Sequence, residues 1–398
     1  MSLFPVGPIQ AASDGAVQLQ PLGFSDLPGF AEDDHLASFE VFLRSCTAIQ
    51  KDRPPLRLGL KPSGRMKEIC SSAINQVISD KAAARRFFEG NFQPFLIRQS
   101  SGALNDGKGE PPTGFLTGYY EPIVEGSLVE TPEFKAPLLA RPKDLISLQP
   151  GQRKPGLDPI LSAAKLLADG SYAPYPDRGA IEQGALGDLT KPIIWLRDRV
   201  EVFLIQVQGS ARARLPDGRL LRVAYAGRNG QPYTSIGRIL VEQGEIALEE
   251  MGLARLKSWI RAHGQSDGEA GAALMLRNKS YIFFAIEEGL APDQGPIGGA
   301  GIPLSPFRSI AVDRTIWSYG LPFWISADLP WQGASPSPFR HLLVAQDTGS
   351  AIIGPARVDI FFGSGETAGE RAGSIRHHGD VVVFLPRGEA RDDGLEQR

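Results

Sequence analysis

The sequence has few cysteines, no long apolar run and no excess of positive charge, and each shortage excludes a class of protein. Two cysteines among 398 residues are too few for a disulfide-rich scaffold. No uninterrupted apolar run reaches the roughly 18 residues of a membrane-spanning helix. The net charge is −3, and lysines and arginines are scattered singly, which leaves no basic patch for nucleic acid. We therefore expect no membrane span and no nucleic-acid partner.

Histidines are also scarce, and their spacing with cysteines and carboxylates is not that of a metal site. The five histidines are His35, His263, His341, His377 and His378. We expect no metal and no cofactor. The N-terminal residues lack the positively charged segment and apolar stretch of a signal peptide. If the protein is exported, we expect its leader to have been removed from this chain.

The two cysteines, Cys46 and Cys70, both lie in segments whose pattern predicts helices. Two interpretations remain open: a pair of buried small apolar side chains, or a disulfide formed in an oxidising compartment. The two predicted helices are neighbours in sequence, and periodicity places both cysteines on inward faces. We therefore predict a bond between them if the protein is made in such a compartment.

Glycine and proline are abundant and favour a β-rich protein. The 45 glycines and 32 prolines make up roughly a fifth of the chain, which favours many short strands and turns over long helices. The length suffices for about two domains, each with its own core. Apolar residues recur at intervals of three and four from Asp34, again between Ile69 and Ile78, and again around Phe87. This periodicity predicts an N-terminal layer of about three helices.

The next part of the chain shows mainly strand and loop patterns. We expect a tail or extended arm over the first 30 residues, a strand over 113–122 that ends at a proline, and mostly loops over 124–190. The segment 193–230 predicts three strands in an antiparallel meander, because Asp-Gly and Asn-Gly pairs are typical hairpin turns.

Two helices and a second group of strands are predicted after the meander. Ser235 is a suitable N-cap for a short helix, and 247–262 predicts a longer one with Leu248 on its inner face. After a Gly- and Pro-rich linker over 291–303, five short strands follow without helices between them, which favours a small closed barrel. Their predicted bounds are 309–313, 322–329, 340–347, 358–363 and 380–386. The fold class expected is mainly β with a helical N-terminal layer.

Two aspartates stand twelve positions apart in the segment VAQDTGSAIIGPARVDIFF, residues 344–362. An ionised carboxylate avoids such apolar surroundings unless it is paired or used in chemistry. Asp347 begins the sequence Asp-Thr-Gly-Ser, which resembles the catalytic loop of an aspartic protease. Such a protease needs two of these loops, and this chain has one. A homodimer would supply the second, but the long upstream part of the chain would then have no role, so the protease is a remote alternative.

A wider set of motifs runs in order from about residue 113 to residue 386. These motifs are FLTGYYEP, VQGSARARLPDGRLLRVAYAGRNGQPY, NKSYIFF, SIAVDRTIWSYGLPFWI, LVAQDTGSAIIGPARVDIFFGSGETAG and HHGDVVVFLP. Together they resemble another family, the membrane-bound lytic transglycosylase A (MltA) family with its C-terminal three-aspartate (3D) domain. The three aspartates of that domain match Asp313, Asp347 and Asp359.

The resemblance implies a fold and an activity. Enzymes of this family cleave the β-1,4 bond between N-acetylmuramic acid and N-acetylglucosamine in peptidoglycan without water, and leave a 1,6-anhydromuramoyl end. Their fold is a double-psi β-barrel domain with an inserted second β-rich domain and a substrate groove between them. For this chain it implies a barrel domain over 1–123 and 293–398, and an inserted domain over 124–292.

The resemblance also places the catalytic aspartate at Asp359. One carboxyl group suffices for this chemistry, because the attacking group is the sugar's own C6 hydroxyl and not a second carboxylate or a water. Asp359 would protonate the glycosidic oxygen and then take the proton of that hydroxyl. Asp347 and Asp313 are expected to support it electrostatically. The alternatives are a turn cap for Asp347, and a turn or a salt bridge to Arg314 or Arg308 for Asp313.

Other polar and aromatic residues are candidates for glycan contact. Adjacent strand residues face opposite sides, so one of the two neighbouring tyrosines belongs to the core and the other is available to stack on a sugar. A polar triplet is predicted at the end of an apolar strand, with a β-bulge as its alternative interpretation. Phe361 is expected on the same strand face as the catalytic aspartate. The candidates are Asp313, Thr117, Tyr119, Tyr120, Gln208, Gly209, Ser210 and Phe361.

The sequence thus favours a peptidoglycan lytic exotransglycosylase over three alternatives: a hydrolytic muramidase, a non-catalytic glycan-binding protein and the aspartic protease. The partners implied are peptidoglycan glycan strands, with association with other cell-wall enzymes as a further option. We expect a monomer in the periplasm, with association with the outer membrane also compatible with the resemblance.

Overall fold

The computed structural model describes residues 17–98, 114–149, 151–288, 291 and 293–388. Within this part of the chain, contacts define two compact units. We call one the middle unit, which consists of Tyr120–Pro296 and Ser364–Gly373. The other, the aspartate unit, consists of the described residues of Val6–Tyr119, Ile297–Gly363 and Ser374–Arg398.

Strands outnumber helices in the described residues, as the composition predicts. The helices are α1 His35–Gln50, α2 Gly64–Asn75, α3 Lys81–Asn91, α4 Arg178–Glu182, α5 Arg199–Gln208, α6 Ile236–Glu242, α7 Leu253–Ala262, α8 Ala270–Leu276 and α9 Glu366–Ser374. Short 3-10 turns occur at Phe24–Asp26, Phe30–Glu32 and Gly187–Leu189. Among these residues no helix combines the length and apolar character needed to cross a bilayer.

The strands of the described residues are short and fall into three sheets. Their bounds are β1 Gln18–Pro21, β2 Phe92–Arg98, β3 Phe115–Glu121, β4 Ile123–Ser127, β5 Ala136–Leu139, β6 Leu145–Ser147, β7 Ala163–Leu166, β8 Tyr172–Pro174, β9 Pro192–Leu196, β10 Ser210–Arg214, β11 Leu220–Arg228, β12 Ile282–Glu287, β13 Ser309–Ala311, β14 Pro322–Leu329, β15 Ser337–Asp347, β16 Arg357–Ser364, β17 Arg376–His378 and β18 Asp380–Pro386.

The predicted N-terminal helical layer is present as α1, α2 and α3. The first helix begins where the sequence predicts, because the Asp34 carboxylate accepts a hydrogen bond from the backbone N of Ala37 at 3.2 Å. Cys46 and Cys70 form a disulfide between α1 and α2, with Cα atoms 4.7 Å apart, which confirms the predicted pairing. The helices pack their apolar faces on residues of the neighbouring sheet, including Trp324.

A nine-stranded sheet has the order β1-β2-β18-β14-β15-β13-β16-β3-β17. The bounds predicted for β14 and β18 are those observed. Helix α9 lies between β16 and β17, so the expectation of five strands without intervening helices is wrong. The order of the described strands is open, and no closed barrel occurs among them. Residues 18–21, expected in a tail or extended arm, form β1 and pair with β2. Residues 1–16 lie outside the described residues.

The middle unit contains a six-stranded sheet of order β12-β11-β10-β4-β9-β5 and a three-stranded sheet of order β6-β7-β8. The predicted meander over 193–230 is wrong, because residues 199–208 form helix α5. Their apolar run is buried on almost all sides, and such a run does not distinguish a buried helix from a buried strand. Strand β10 pairs with β11 on one side and in parallel with β4 on the other.

Of three smaller predictions in the middle unit, the structure confirms one and corrects two. Ser235 caps α6, and its Oγ accepts a hydrogen bond from Arg238 N at 3.3 Å. The helix expected over 247–262 begins only at Leu253, and Leu248 is exposed. The segment 124–190, expected to be mostly loops, contains several short strands and helix α4.

Candidate active site

The two aspartates twelve residues apart lie on one face of the nine-stranded sheet. Strand β13 lies between their strands, β15 and β16, and pairs with both. Strand β13 pairs in parallel with β15, where Ala311 is the partner of Asp347. On its other side β13 pairs antiparallel with β16, where Ala311 is the partner of Asp359. Residues opposite each other on neighbouring strands share a face. Two strand spacings therefore separate the aspartates, or about 10 Å between Cα atoms.

A local irregularity gives Asp347 this position. The pairing of β13 with β15 shifts by one residue between Ile310 and Ala311, so that Asp347 takes the place opposite Ala311. The skipped residue is Gln346, whose side-chain amide binds Ser45 Oγ at 2.8 Å and Val41 O at 3.0 Å. Irregularities of this kind redirect side chains next to functional sites.

Asp359 is buried, with an exposed fraction of 1%. Its Oδ1 accepts a hydrogen bond from Thr117 Oγ1 at 2.5 Å. The same hydroxyl oxygen accepts a hydrogen bond from Arg357 Nη2 at 2.8 Å. A guanidinium group only donates, so the hydroxyl proton of Thr117 is left to bind the carboxyl group. Arg357 thereby orients Thr117, and Thr117 orients Asp359.

The sequence reasoning did not single out Arg357. It lies two residues before Asp359 on β16 and therefore on the same strand face. Its guanidinium group lies 5.1 Å from the ring centre of Phe115 and donates to Val358 O at 2.7 Å. Burial lowers the pKa of Arg357, and the nearby charge of Asp359 opposes that shift. The only available signal was an arginine inside an otherwise apolar strand.

Asp347 is bound by different donors. Its Oδ2 accepts a hydrogen bond from Tyr119 Oη at 2.9 Å, and its Oδ1 accepts from the backbone N of Gly299 at 2.7 Å and of Thr348 at 2.8 Å. The loop that follows is held by Arg57, whose Nη1 donates to Thr348 O at 2.6 Å. Asp347 thus organises a turn, as the alternative interpretation proposes, and also contacts a tyrosine of β3.

Strand β3 supplies one donor to each aspartate. Thr117 and Tyr119 are alternate residues of β3 and share a face. Burial, and then the charges of Asp347 and Asp359, raise the pKa of Tyr119 well above its usual value. Its hydroxyl group therefore keeps its proton and donates. The ring of Tyr119 lies 5.3 Å from that of Phe361, and both belong to one apolar cluster.

Asp313 lies in a turn that its own side chain stabilises. Its Oδ1 accepts hydrogen bonds from the backbone N of Thr315 at 3.0 Å and from Thr315 Oγ1 at 2.6 Å. Its Oδ2 accepts from Gly354 N at 2.8 Å. Arg308, one of the two salt-bridge partners considered for it, binds Asp33 instead, with distances of 2.7 and 2.9 Å.

The remaining candidates belong to the middle unit. Tyr120 N donates to Gln208 Oε1 at 3.2 Å, which brings two of the sequence candidates together. Burial, with the nearby charge of Glu366, raises the pKa of Tyr120 to about 12. Gln208 is the last residue of α5, Gly209 ends that helix with a φ of 91°, and Ser210 begins β10. The triplet therefore lies at a helix-to-strand junction, and the expected position at the end of an apolar strand is wrong.

Comparisons with known proteins agree on one family. The family model described as the MltA specific insert domain matches residues 115–285, and the model described as the 3D domain matches residues 308–385. Membrane-bound lytic murein transglycosylase A of Vibrio cholerae is 31% identical over 272 residues, which cover 67% of this chain and 64% of that protein. The chain thus matches less than two thirds of the length of this curated relative.

Solved structures match over more of their length. The crystal structure of a membrane-bound lytic murein transglycosylase from Agrobacterium tumefaciens has a TM-score of 0.80 and 33% identity, and the match covers 93% of this chain and 98% of that one. The monoclinic form of MltA from Neisseria gonorrhoeae has a TM-score of 0.72 and 28% identity, with 95% of each chain covered. Both similarities extend beyond the residues that the two family models match.

Proposed function

The chain belongs to the MltA family, and from this premise we propose that it is a lytic transglycosylase acting on peptidoglycan. It cleaves the β-1,4 bond between N-acetylmuramic acid and N-acetylglucosamine and forms a 1,6-anhydro end. The observation that carries the proposal is the buried carboxyl group of Asp359, oriented by Thr117 and lying on one sheet face with a second carboxylate, Asp347.

In the first step Asp359 acts as a general acid. Its carboxyl proton passes to the glycosidic oxygen while the bond from that oxygen to C1 of the muramoyl residue breaks. The leaving sugar departs with a new hydroxyl group, and positive charge develops on C1 and the ring oxygen. Asp359 is left as a carboxylate. The hydrogen bond from Thr117 keeps the carboxyl group in one orientation during the transfer.

In the second step the same carboxylate acts as a general base. It takes the proton of the C6 hydroxyl group while O6 attacks C1 and closes the anhydro ring. The proton lent in the first step is thereby returned, and no water is consumed. One carboxyl group thus serves both steps, which removes the need for the second acid or base of hydrolytic glycosidases.

Asp347 has an electrostatic role in this proposal. Its carboxylate accepts three hydrogen bonds, two of them from backbone N–H groups. A fixed negative charge on the same face stabilises the positive charge that develops on the sugar.

Substrate contacts and domain boundaries are further parts of the proposal. The double-psi barrel, the glycan groove, and the boundaries at 124 and 292 remain predictions. The residues that remain proposed for substrate binding are Asp313, Thr117, Tyr119, Tyr120, Gln208, Gly209, Ser210 and Phe361.

A periplasmic location, with association with the outer membrane, belongs to the same proposal, because peptidoglycan lies in that compartment. The disulfide between Cys46 and Cys70 fits an oxidising compartment. Monomeric state and association with other cell-wall enzymes are part of the proposal as well.

The test is release of anhydromuropeptides from purified sacculi, followed by mass spectrometry. Asp359→Asn should keep the fold and glycan binding but lose turnover by a factor at or above the upper end of about 10² to 10⁴, because an amide neither donates an acidic proton nor accepts one back. Asp347→Asn should lose less turnover than Asp359→Asn. If Asp359→Asn keeps more than about a tenth of the wild-type rate while Asp347→Asn is inactive, the roles are assigned to the wrong aspartates.

The products also separate the alternatives. A hydrolytic muramidase would release products heavier by one water. A non-catalytic glycan-binding protein would bind sacculi and release nothing. An aspartic protease would be inhibited by pepstatin and would cleave protein substrates.

A further inference from the structure

Another buried carboxylate, Glu121, ends the strand that supplies Thr117 and Tyr119. Its side chain has an exposed fraction of 0%. Its Oε2 accepts hydrogen bonds from Arg212 Nε at 2.6 Å and from Ser364 Oγ at 2.7 Å, and its Oε1 accepts from Arg222 Nε at 2.7 Å. A buried carboxylate is tolerated only when it is paired and hydrogen-bonded in this way.

The same network holds several parts of the middle unit together. Arg212 lies on β10 and Arg222 on β11, and the Nη2 atoms of both donate to Gln294 O, at 2.9 and 2.5 Å. Arg212 Nη2 also donates to Ser364 Oγ at 3.3 Å. Glu121 is therefore held from two neighbouring strands, and its position is fixed by charge as well as by packing.

The position of Glu121 along β3 connects this network to the candidate active site. Thr117, Tyr119 and Glu121 are alternate residues of one strand and share a face. Their side chains bind Asp359, Asp347 and Ser364 respectively. Asp359 and Ser364 lie on the same strand, β16, which is adjacent to β3 in the sheet. Through its hydrogen bond with Ser364, Glu121 thus links the C-terminal ends of β3 and β16, the two strands that carry the Thr117–Asp359 hydrogen bond.

Backbone hydrogen bonds link the same two segments. Phe115 N donates to Ala356 O at 3.0 Å near one end of β3, and Gly365 N donates to Glu121 O at 2.9 Å at the other. Glu121 is four residues from Thr117, or about 13 Å along the strand. It is therefore too distant to touch the reacting atoms, and any effect on the reaction must pass through the strands.

We propose that Glu121 is a positioning residue, whose ion network fixes the offset between β3 and β16 and thereby holds the Thr117 hydroxyl on Asp359. The inference rests on the proposed function of Asp359. A slip of one residue would move β3 by about 3.3 Å and turn Thr117 to the other face. A misplacement of about 1 Å at a reacting group costs about 100-fold in rate.

The test compares Glu121→Gln and Ser364→Ala with a matched control, Glu182→Gln. Glu182 also accepts hydrogen bonds from two arginines of the middle unit, Arg178 and Arg199, but it lies on neither β3 nor β16. Turnover on sacculi, KM and melting temperature are measured for each variant. Glu121→Gln should lower kcat by about 100-fold with KM unchanged, and Ser364→Ala should lower it by a smaller factor. Glu182→Gln should lower the melting temperature but leave kcat unchanged.

A second measurement does not depend on activity. Hydrogen exchange of peptides covering 115–121 and 357–365 should become faster in Glu121→Gln, because a weaker ion network would loosen the pairing in which Gly365 N donates to the backbone O of residue 121. It should stay unchanged in Glu182→Gln. Ser364→Ala provides the same readout if Glu121→Gln does not fold.

Three outcomes would overturn the proposal. Wild-type kcat in both Glu121→Gln and Ser364→Ala, with Asp359→Asn inactive, would remove the positioning role and leave the proposed function intact. An equal loss of kcat in Glu182→Gln would show general destabilisation. If the wild-type protein releases no anhydromuropeptides, the proposed function fails and this inference falls with it.

Discussion

Thr117→Val tests the hydrogen bond that orients the candidate acid. Valine has nearly the same shape as threonine but no hydroxyl group. The substitution removes the 2.5 Å hydrogen bond to Asp359 Oδ1 and the 2.8 Å hydrogen bond from Arg357 Nη2. Thr117 is completely buried, so water does not readily replace the lost partner. Arg357 and Asp359 each lose a hydrogen bond in a buried site.

The magnitude follows from these contacts. A hydrogen bond to a charged group contributes about 1.5–3 kcal/mol, and a buried polar group left without a partner costs about 1–3 kcal/mol. We expect Thr117→Val to lower the free energy of unfolding by about 3 kcal/mol. Thr117→Ser is the matched control, since it keeps the hydroxyl group and loses one methyl group, at a cost of about 1 kcal/mol.

Urea unfolding and turnover on sacculi measure the two consequences. Thr117→Val should be less stable than Thr117→Ser and should lose turnover by at least about 100-fold, while Thr117→Ser keeps most of it. A difference in unfolding free energy below about 0.5 kcal/mol, together with equal turnover in the two variants, would refute the role given to this hydroxyl group.

Two further predictions concern the aspartate unit. Reduction of the Cys46–Cys70 disulfide should lower the free energy of unfolding by about 3 kcal/mol, and an unchanged melting temperature in reductant would contradict this. Burial alone would raise the pKa of Asp33, but hydrogen bonds from His341 and Arg308 and the charge of Arg308 hold it well below its usual value. Its contribution to stability is therefore present above about pH 4 and lost as the pH falls. Asp33→Asn should lower stability at neutral pH and flatten its decline below about pH 4, as measured by urea unfolding against pH; an equally steep decline would contradict the assignment.

Sequence signals predict an element well when a capping residue, glycine or proline marks its ends and the spacing of apolar residues marks its buried face. Helix α1 is an example, because Asp34 caps it and its apolar residues recur at helical spacing. The bounds of β14 and β18 were also predictable, because glycine or proline flanks both strands. The disulfide was predicted only for an oxidising compartment, from two helices that are neighbours in sequence and whose cysteines both face inward.

Burial on almost all sides explains why helix α5 was predicted as part of a strand. Residues 199–208 are apolar at most positions, so neither a helical nor a strand period is visible. The signals that decide in favour of a helix are Asp198, whose carboxylate accepts from Glu201 N at 2.9 Å, and Gly209, which ends the helix at positive φ. Both signals are short and also fit turns, so they did not outweigh the apolar run.

The arrangement of the site depends on pairings between distant residues. Thr117 binds an aspartate 242 positions away, and Tyr119 binds one 228 positions away. The one-residue shift beside Ala311 leaves no mark in the local pattern. Arg357 and Glu121 were missed for the same reason, since a charged residue in a strand reveals its role only when its partners from other strands are known.

The hydrogen-bond partners of the two aspartates differ in a way that bears on the roles proposed for them. Backbone N–H groups only donate, and two of them bind Asp347 Oδ1. The Thr117 hydroxyl that binds Asp359 accepts from Arg357 Nη2, so its proton is directed to the carboxyl group. Asp359 is thus bound by a hydroxyl group that an arginine orients, whereas backbone N–H groups hold Asp347 in its turn. This difference supports the proposal that Asp359 transfers the proton while Asp347 acts through its charge.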